Sequence, residues 1–205
     1  SMNEKGADRP SRKIRKRTNE PRGVSVKPGT YNLKMSFGNQ TSESSIKVEF
    51  DPRLEMSTEA ITEIYNASKD MEKDQQLMAD VVKQLVESKN TATAFKKDLT
   101  KEDTKNYKDQ IKASKDIIIK IDKLIAVYIG SVDKRQGITR NPEVTVSRRY
   151  SSARRYVGSR FGHLTTTEKQ LINQYKKALK TAISETIAFV ETDWKVYKKS
   201  LETLR

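Results

Sequence analysis

Apolar residues follow a period of two in one short part of the chain, residues 27–50. In that stretch they alternate with polar residues, and a Gly38-Asn39 pair that suits a tight turn separates the two runs. The alternating positions are Tyr31, Leu33, Met35, Phe37, Ile46, Val48 and Phe50. A period of two is typical of β-strands. The segment is therefore predicted to be a β-hairpin whose strands each have one buried face.

After the hairpin the spacing changes to three or four residues, which predicts amphipathic helices. The first helix is expected to begin at Ser57 or Thr58 and to reach a turn placed within residues 90–103. A second helix is predicted from about Lys105 to Gln136, weakened at Gly130 and ended by Gly137.

Two further helices follow a non-helical connection over residues 137–150. Ser147 is predicted to cap a short basic helix that reaches about Arg160. The last helix is expected to start at Thr165 or Thr166, with Glu168 placed for a capping box, and its apolar stripe includes Tyr175, Trp194 and Tyr197 as core residues. These stripes can be buried only against one another, which favours an antiparallel bundle.

The first 23 residues are polar and basic, and Pro10 and Pro21 interrupt them. They are predicted to be extended, with at most a short edge strand near Ile14. The expected fold is α+β and mostly α: an antiparallel bundle of three long helices and one short helix, with a small N-terminal antiparallel β-hairpin or sheet. Two domains are expected, namely residues 1–53 with the basic arm and hairpin, and residues 54–205 with the bundle.

Composition supports long solvated helices, because 33% of the 205 residues are charged and only 34% are apolar. The formal net charge of +14 is concentrated in two stretches. Residues 1–53 contain 12 Lys and Arg against 6 Asp and Glu, and residues 134–162 contain 8 against 1. No apolar run approaches the roughly 20 residues that span a bilayer. The opening Ser1-Met2 suggests an arbitrary start, so that any export signal would lie upstream.

Signals for catalysis are weak throughout the sequence. The chain has no cysteine, and "GSRFG" at residues 158–162 lacks the spacing and the lysine of a phosphate-binding loop. His163 is the single histidine and precedes a helix, where a polar turn residue is ordinary. Carboxylates such as Asp70 and Asp74 have lysines three or four residues away, as on solvated helix surfaces. We expect no catalytic, cofactor or metal site in this chain, and hence no enzyme.

The segment "SRRYSSARRYVGSR" is the strongest functional lead. It interleaves five arginines with two tyrosines, as phosphate contact combined with base stacking requires. The candidate interaction residues there are Arg148, Arg149, Tyr150, Arg154, Arg155, Tyr156 and Arg160. A helix would, however, spread the arginines around its circumference and turn Tyr150, Ala153 and Val157 inward. The arginines would then pair with acidic helix faces or line the rim of a protein interface. The basic run at residues 9–17 has the same alternatives.

The stretch "PRGVSVKPGTYNLKMSFGNQTSESSIKVEFDPR" resembles the region behind the β-propellers of bacterial-neuraminidase-repeat or sortilin-like glycosyl hydrolases. The likeness rests on "PGTY" at residues 28–31, on the turn at residues 38–39, and on Val48 through Asp51-Pro52-Arg53. The helical tail fits that pattern loosely, and its high Lys and Arg content departs from it. The resemblance implies a hairpin that ends an immunoglobulin-like or fibronectin-like module, with the rest of the sandwich and the propeller upstream. Catalytic residues would belong to the propeller.

The leading hypothesis is a non-catalytic C-terminal interaction or spacer module of a larger exported bacterial protein. Its partner would be the upstream domain of the same polypeptide or another protein, docked on exposed strand residues Leu33, Met35 and Phe37. The resemblance implies a periplasmic or extracellular location. The alternative is a helical nucleic-acid-binding protein that uses residues 148–160. A hydrolase built on helix carboxylates is the third hypothesis, for which the sequence offers no nucleophile beside a base.

Overall fold

The computed structural model describes residues 2–14, 18–132 and 143–202, and it has the mostly helical α+β fold that the sequence predicts. Four strands come first, as two separate two-stranded antiparallel sheets. They are β1 (Asn3–Lys5), β2 (Arg22–Ser25), β3 (Gly29–Phe37) and β4 (Gln40–Val48). The helices are α1 (Thr58–Glu102), α2 (Lys108–Ile129), α3 (Val146–Gly158), α4 (Thr166–Phe189) and α5 (Lys195–Glu202). One π-helical stretch, Val190–Trp194, joins α4 to α5, so that the last helix is nearly continuous.

Helix α1 begins where the sequence predicts but extends further. The Ser57 side chain accepts a hydrogen bond from the Ala60 N–H at 3.1 Å, which confirms the predicted N-cap. The prediction of a turn within residues 90–103 is wrong for most of that range, because the helix continues to Glu102. Buried Ala92 and Leu99 continue the apolar stripe, and this packing outweighs the weak helix propensity of the local sequence.

Helix α2 is shorter at both ends than the expected span of 105–136. It starts at Lys108 because the Asp103 side chain accepts hydrogen bonds from the Lys105 and Asn106 N–H groups in a turn. It ends at Gly130 itself, whose φ of +85° is strained for any side-chain-bearing residue. Gly137 lies outside the described residues.

Helices α3 and α4 follow in the predicted order. The cap of α3 is Thr145 rather than Ser147, and its side chain accepts from the Arg148 N–H at 3.1 Å. At the start of α4 the capping box of Thr165 and Glu168 is confirmed, with the Thr165 N–H donating to the Glu168 carboxylate at 2.8 Å.

The core is one continuous cluster between the helices. Met78, Val82, Ile121 and Ile125 are among its fully buried side chains, as the helical stripes predict. Two pairs of buried hydroxyl groups meet across helices. The Tyr128 hydroxyl lies 2.9 Å from the Thr186 hydroxyl, and the Tyr197 hydroxyl lies 2.9 Å from that of Ser114. Such pairing avoids the cost of burying a polar group without a partner.

The N-terminal arm, residues 2–14 and 18–26, differs from the prediction. Ile14 is exposed and lies outside any strand, so the optional edge strand is not formed at that residue. The arm instead doubles back, and β1 pairs with β2 through Asn3↔Ser25 and Lys5↔Arg22. This small sheet lies on α1, because the Gln75 side chain of α1 donates to the carbonyl oxygens of Ala7 and Asp8 at 2.9 and 3.1 Å.

Candidate interaction surfaces

The β3–β4 hairpin has the predicted turn, and its apolar side is exposed. Tyr31 pairs with Ile46, and Phe37 pairs with Gln40 across the Gly38-Asn39 turn. Along β3 every second side chain is apolar, and we call Tyr31, Leu33, Met35, Phe37 and Ile46 the hairpin face, since strand pairing puts them on one side. The exposed fractions of Leu33, Met35 and Phe37 are 48%, 72% and 85%. The apolar side of the hairpin is therefore exposed in this chain, as expected for strands whose buried face needs a partner.

The opposite side of the hairpin is polar. Lys34 lies directly across from Glu43, and their side-chain ion pair measures 3.3 Å. The same side includes Thr30, Asn32 and Ser36. The hairpin is thus amphipathic, with a polar side suited to water and an apolar side that no other part of the described chain covers.

The base of the hairpin is held near the start of α1. The Tyr31 hydroxyl donates to the Lys27 carbonyl oxygen at 2.7 Å, and the Lys27 ammonium lies 4.8 Å from the centre of the Tyr65 ring. The Tyr65 hydroxyl donates to Glu4 of β1. Lys69 bonds to Glu4 at 2.8 Å and to Glu72 at 2.7 Å. These contacts raise the pKa of Lys69 and, through the hydrogen bond from Lys69, lower the pKa of Glu4.

The two tyrosines of the basic segment point in different directions. Tyr150 is buried and packs edge-on against Tyr175 with 5.5 Å between ring centres, and Ala153 and Val157 lie inward beside it. Burial raises the pKa of Tyr150 to about 12. Tyr156 is half-exposed on the outer surface. The inward stripe expected from the sequence is therefore present, and the two rings do not form a shared stacking platform.

The five arginines of the segment lie in four different environments. Arg160 donates from Nε to the His163 carbonyl oxygen at 2.9 Å and so fixes the turn between α3 and α4. Arg148 is partly buried, and Arg149 is exposed on the outer surface of α3. Arg154 and Arg155 line a cleft between α3 and the N-terminal arm.

This arginine cleft has a volume of about 620 Å³ and brings the two basic stretches of the sequence together. Arg9 of the arm lies at the same cleft as Arg154 and Arg155, although about 145 positions separate them in sequence. Ser147 and Ser151 also line it. The Ser147 Oγ is buried and has no hydrogen-bond partner. Sequence reasoning identified each basic stretch but had no signal for their meeting, because nothing local encodes a contact across such a separation.

A second groove of about 520 Å³ lies beside the first, between β2, α1 and the end of α3. Its walls are mainly apolar, with Val26, Phe50, Ile61 and Ile64 among them. Arg154 lies between the two spaces and lines both.

His163 is a structural residue in this fold. Its Nδ1 lies 2.8 Å from a Glu63 carboxylate oxygen, and Lys169 lies 3.2 Å from the other oxygen. The hydrogen bond from His163 is the main reason that the pKa of Glu63 is lowered. The group ties the start of α4 to α1 through an exposed ion-pair cluster.

Metal and membrane features are absent from the described ranges 2–14, 18–132 and 143–202. No group of three or more histidine or carboxylate side chains there is arranged to hold a metal ion. None of the helices within those ranges has both the length and the apolar character needed to cross a membrane.

No protein-family model matches the chain, and neither a curated protein nor a solved structure shows significant similarity to it. The hairpin face and the arginine cleft are therefore the observations from which a function can be proposed.

Proposed function

We propose that this chain is a non-catalytic interaction or spacer module, which docks through its hairpin face on a β-rich domain. The observation that carries the proposal is the exposure of Leu33, Met35 and Phe37 on a regular nine-residue strand. Isolated two-stranded hairpins are marginal in water, and a β-sheet stabilises them by covering the apolar side.

The energetic case rests on the size of these side chains. Full burial of one Leu, Met or Phe side chain contributes about 1.5–3 kcal/mol. Because Met35 and Phe37 are mostly exposed, most of that contribution is still available for docking. A two-stranded sheet also has two unpaired edges, which invite pairing with another sheet.

The resemblance of residues 28–53 supports one particular partner. In the neuraminidase-repeat or sortilin-like glycosyl hydrolases that these residues resemble, such a hairpin would complete a sandwich behind a propeller. We therefore propose that the partner is the upstream β-rich domain of the same exported bacterial polypeptide, with a periplasmic or extracellular location. Any glycosidase activity would lie in that upstream part.

The test compares the melting temperature of this chain with that of a longer chain that includes the upstream region. We expect the bundle in the longer chain to melt several degrees higher, since one kcal/mol shifts Tm by roughly 2–4 °C at this size. The double substitution Met35→Gln/Phe37→Gln should abolish the increase. The same substitution in the short chain should change the unfolding free energy by less than about 0.5 kcal/mol, because both residues are exposed.

The polar side of the hairpin provides the matched control. Ser36→Ala/Thr41→Ala alters residues that face each other in the same two strands, and it should leave the increase intact. An increase that survives Met35→Gln/Phe37→Gln, or a longer chain with an unchanged Tm, would contradict docking through the hairpin face.

The second candidate function is nucleic-acid binding through residues 148–160, which the meeting of Arg9 with Arg154 and Arg155 favours. The burial of Tyr150 weakens it, because only one of the two rings remains available for base stacking. Fluorescence anisotropy with labelled single- and double-stranded oligonucleotides at two salt concentrations distinguishes nucleic-acid binding from an interaction module. Phosphate contacts would make the affinity fall steeply with salt, whereas an interaction module should not bind near physiological salt.

A further inference from the structure

The arginine cleft gathers positive charge without compensating it. Arg9, Arg154 and Arg155 form no ion pair or hydrogen bond with a carboxylate in the described parts of the chain, and no carboxylate lines the cleft. Like charges held together in this way repel one another and cost stability. An arrangement that costs stability and recruits side chains from two distant segments is typical of a binding site.

Two carboxylates that act on the cleft wall are engaged elsewhere. Glu72 and Asp74 are the acidic groups that act electrostatically on Tyr150 at the cleft wall. Glu72 is bonded to Lys69 at 2.7 Å, and Asp74 accepts a hydrogen bond from the Tyr175 hydroxyl at 2.8 Å. Since those partners hold both carboxylates, the three arginines retain their capacity for an external anion.

The donors on α3 form one stripe. Four residues of α3 line the cleft from the same helix face, because they lie four, seven and eight positions after the first of them. They are Ser147, Ser151, Arg154 and Arg155. Ser151 is exposed at the cleft, whereas the unpartnered Ser147 hydroxyl is buried behind it. Guanidinium groups and hydroxyl groups together match the several oxygens of a phosphate group.

We propose that the arginine cleft binds a phosphate-bearing small molecule, with Arg9, Arg154 and Arg155 bonded to the phosphate oxygens and Ser151 as a hydroxyl donor. The volume of about 620 Å³ exceeds the need of a phosphate ion and lies within the range of small-molecule sites. Pro10 and Ile129 provide apolar wall for the organic part of such a ligand. This site is separate from the hairpin face and does not depend on the docking proposed above.

The test is isothermal titration of the whole chain with inorganic phosphate and with pyrophosphate, at a fixed chloride concentration near physiological ionic strength. We expect saturable binding of one equivalent. Arg9→Gln and Arg154→Gln should each weaken binding by about tenfold, because each removes a charge-assisted hydrogen bond. Arg155→Gln and Ser151→Ala should also weaken it.

Arg149→Gln is the matched control, since Arg149 is on the same helix but outside the cleft. It should change the affinity by less than about twofold if the site is specific. If Arg149→Gln weakened phosphate binding as much as Arg154→Gln, the attraction would be nonspecific and electrostatic, and the proposal would be overturned. A phosphate titration that does not saturate would also overturn the proposal. So would a chain that binds oligonucleotides but neither phosphate nor pyrophosphate.

A stability measurement separates a binding role from a structural one. Because Arg154 and Arg155 have no carboxylate partner within the described residues, their replacement by glutamine should leave Tm unchanged or raise it. A lower Tm for these variants would indicate a structural role and overturn the proposal. Met35→Gln/Phe37→Gln should leave phosphate affinity unchanged, so failure of this site and failure of hairpin docking are distinguishable.

Discussion

Gln75, buried on α1, donates its side-chain N–H group to the Ala7 carbonyl oxygen at 2.9 Å, and the two residues are 68 positions apart. A second hydrogen bond runs from the same nitrogen to the Asp8 carbonyl oxygen at 3.1 Å. This amide therefore holds the N-terminal arm against the bundle. The arm in turn places Arg9 at the arginine cleft.

Gln75→Ala should release the arm. The substitution leaves two backbone carbonyl groups without their donor and should lower the unfolding free energy by about 1–3 kcal/mol. Limited proteolysis near residues 8–14 should become faster, and phosphate affinity should fall because Arg9 is no longer fixed. Gln84→Ala is the control on the exposed side of α1, and it should have neither effect. Unchanged proteolysis in Gln75→Ala would contradict the anchoring role.

Gly23→Ala should disrupt the small sheet of β1 and β2. A Cβ atom at Gly23 would lie 2.7 Å from the carbonyl oxygens of Glu4 and Lys5, closer than any real contact, so the strands must separate. We expect a loss of about 1–3 kcal/mol in denaturant unfolding. Hydrogen exchange at the Gly6 amide, which is bonded to the Pro21 carbonyl oxygen, should accelerate.

Gly158→Ala provides the matched comparison for that substitution. A Cβ atom there has open space around it, and alanine should stabilise the end of α3 by up to about 1 kcal/mol. Equal destabilisation by the two alanine variants would show that the close approach of β1 to β2 is not what excludes a side chain at Gly23.

Ile121→Ala and Ile119→Ala should differ strongly, although both residues are on α2. Ile121 is fully buried in the core, whereas Ile119 is about half-exposed. Truncation of the buried residue should cost about 2–5 kcal/mol, and truncation of the exposed one well under 1 kcal/mol. Urea denaturation of both variants measures the difference. Similar costs would contradict the assignment of the bundle face of α2.

Stability should fall at alkaline pH. Burial raises the pKa values of Tyr128, Tyr150, Tyr175 and Tyr197 above their value of about 10 in an unfolded chain. A raised folded-state pKa means that the folded protein keeps these protons while the unfolded chain loses them. The stabilisation is therefore complete below about pH 10 and is lost as the pH rises towards the folded-state values.

The measurement is Tm as a function of pH, together with the ultraviolet absorbance of tyrosinate. Tyr150→Phe removes one of the protected groups, so Tm of that variant should fall less steeply between pH 10 and 12 than Tm of the unaltered chain. A Tm that stays constant across this interval would show that the four hydroxyl groups are accessible to solvent.

Much of the candidate interaction surface could be predicted from local sequence. The alternation at residues 31–37 identified the apolar strand, and the arginine pairs at residues 148–149 and 154–155 identified the basic helix. The sequence did not show that Arg160 is used in a turn or that Arg149 and Arg154 lie in different environments. Those differences depend on which neighbouring element covers each part of α3.

The sequence by itself determined the features that depend on near neighbours along the chain. These include the Ser57 cap, the capping box of Thr165 and Glu168, the hairpin register and the inward stripe of α3, because each arises from backbone and side-chain contacts within a few residues. Only the tertiary structure decided where α1 ends, which strands pair in the arm, and that Arg9 meets Arg154. The hydrogen bonds of Gln75 join distant segments and leave no periodic signature in the sequence. The apolar positions near Ala92 and Leu99 suit either a longer helix or a covered turn, and packing against the other helices decides between the two.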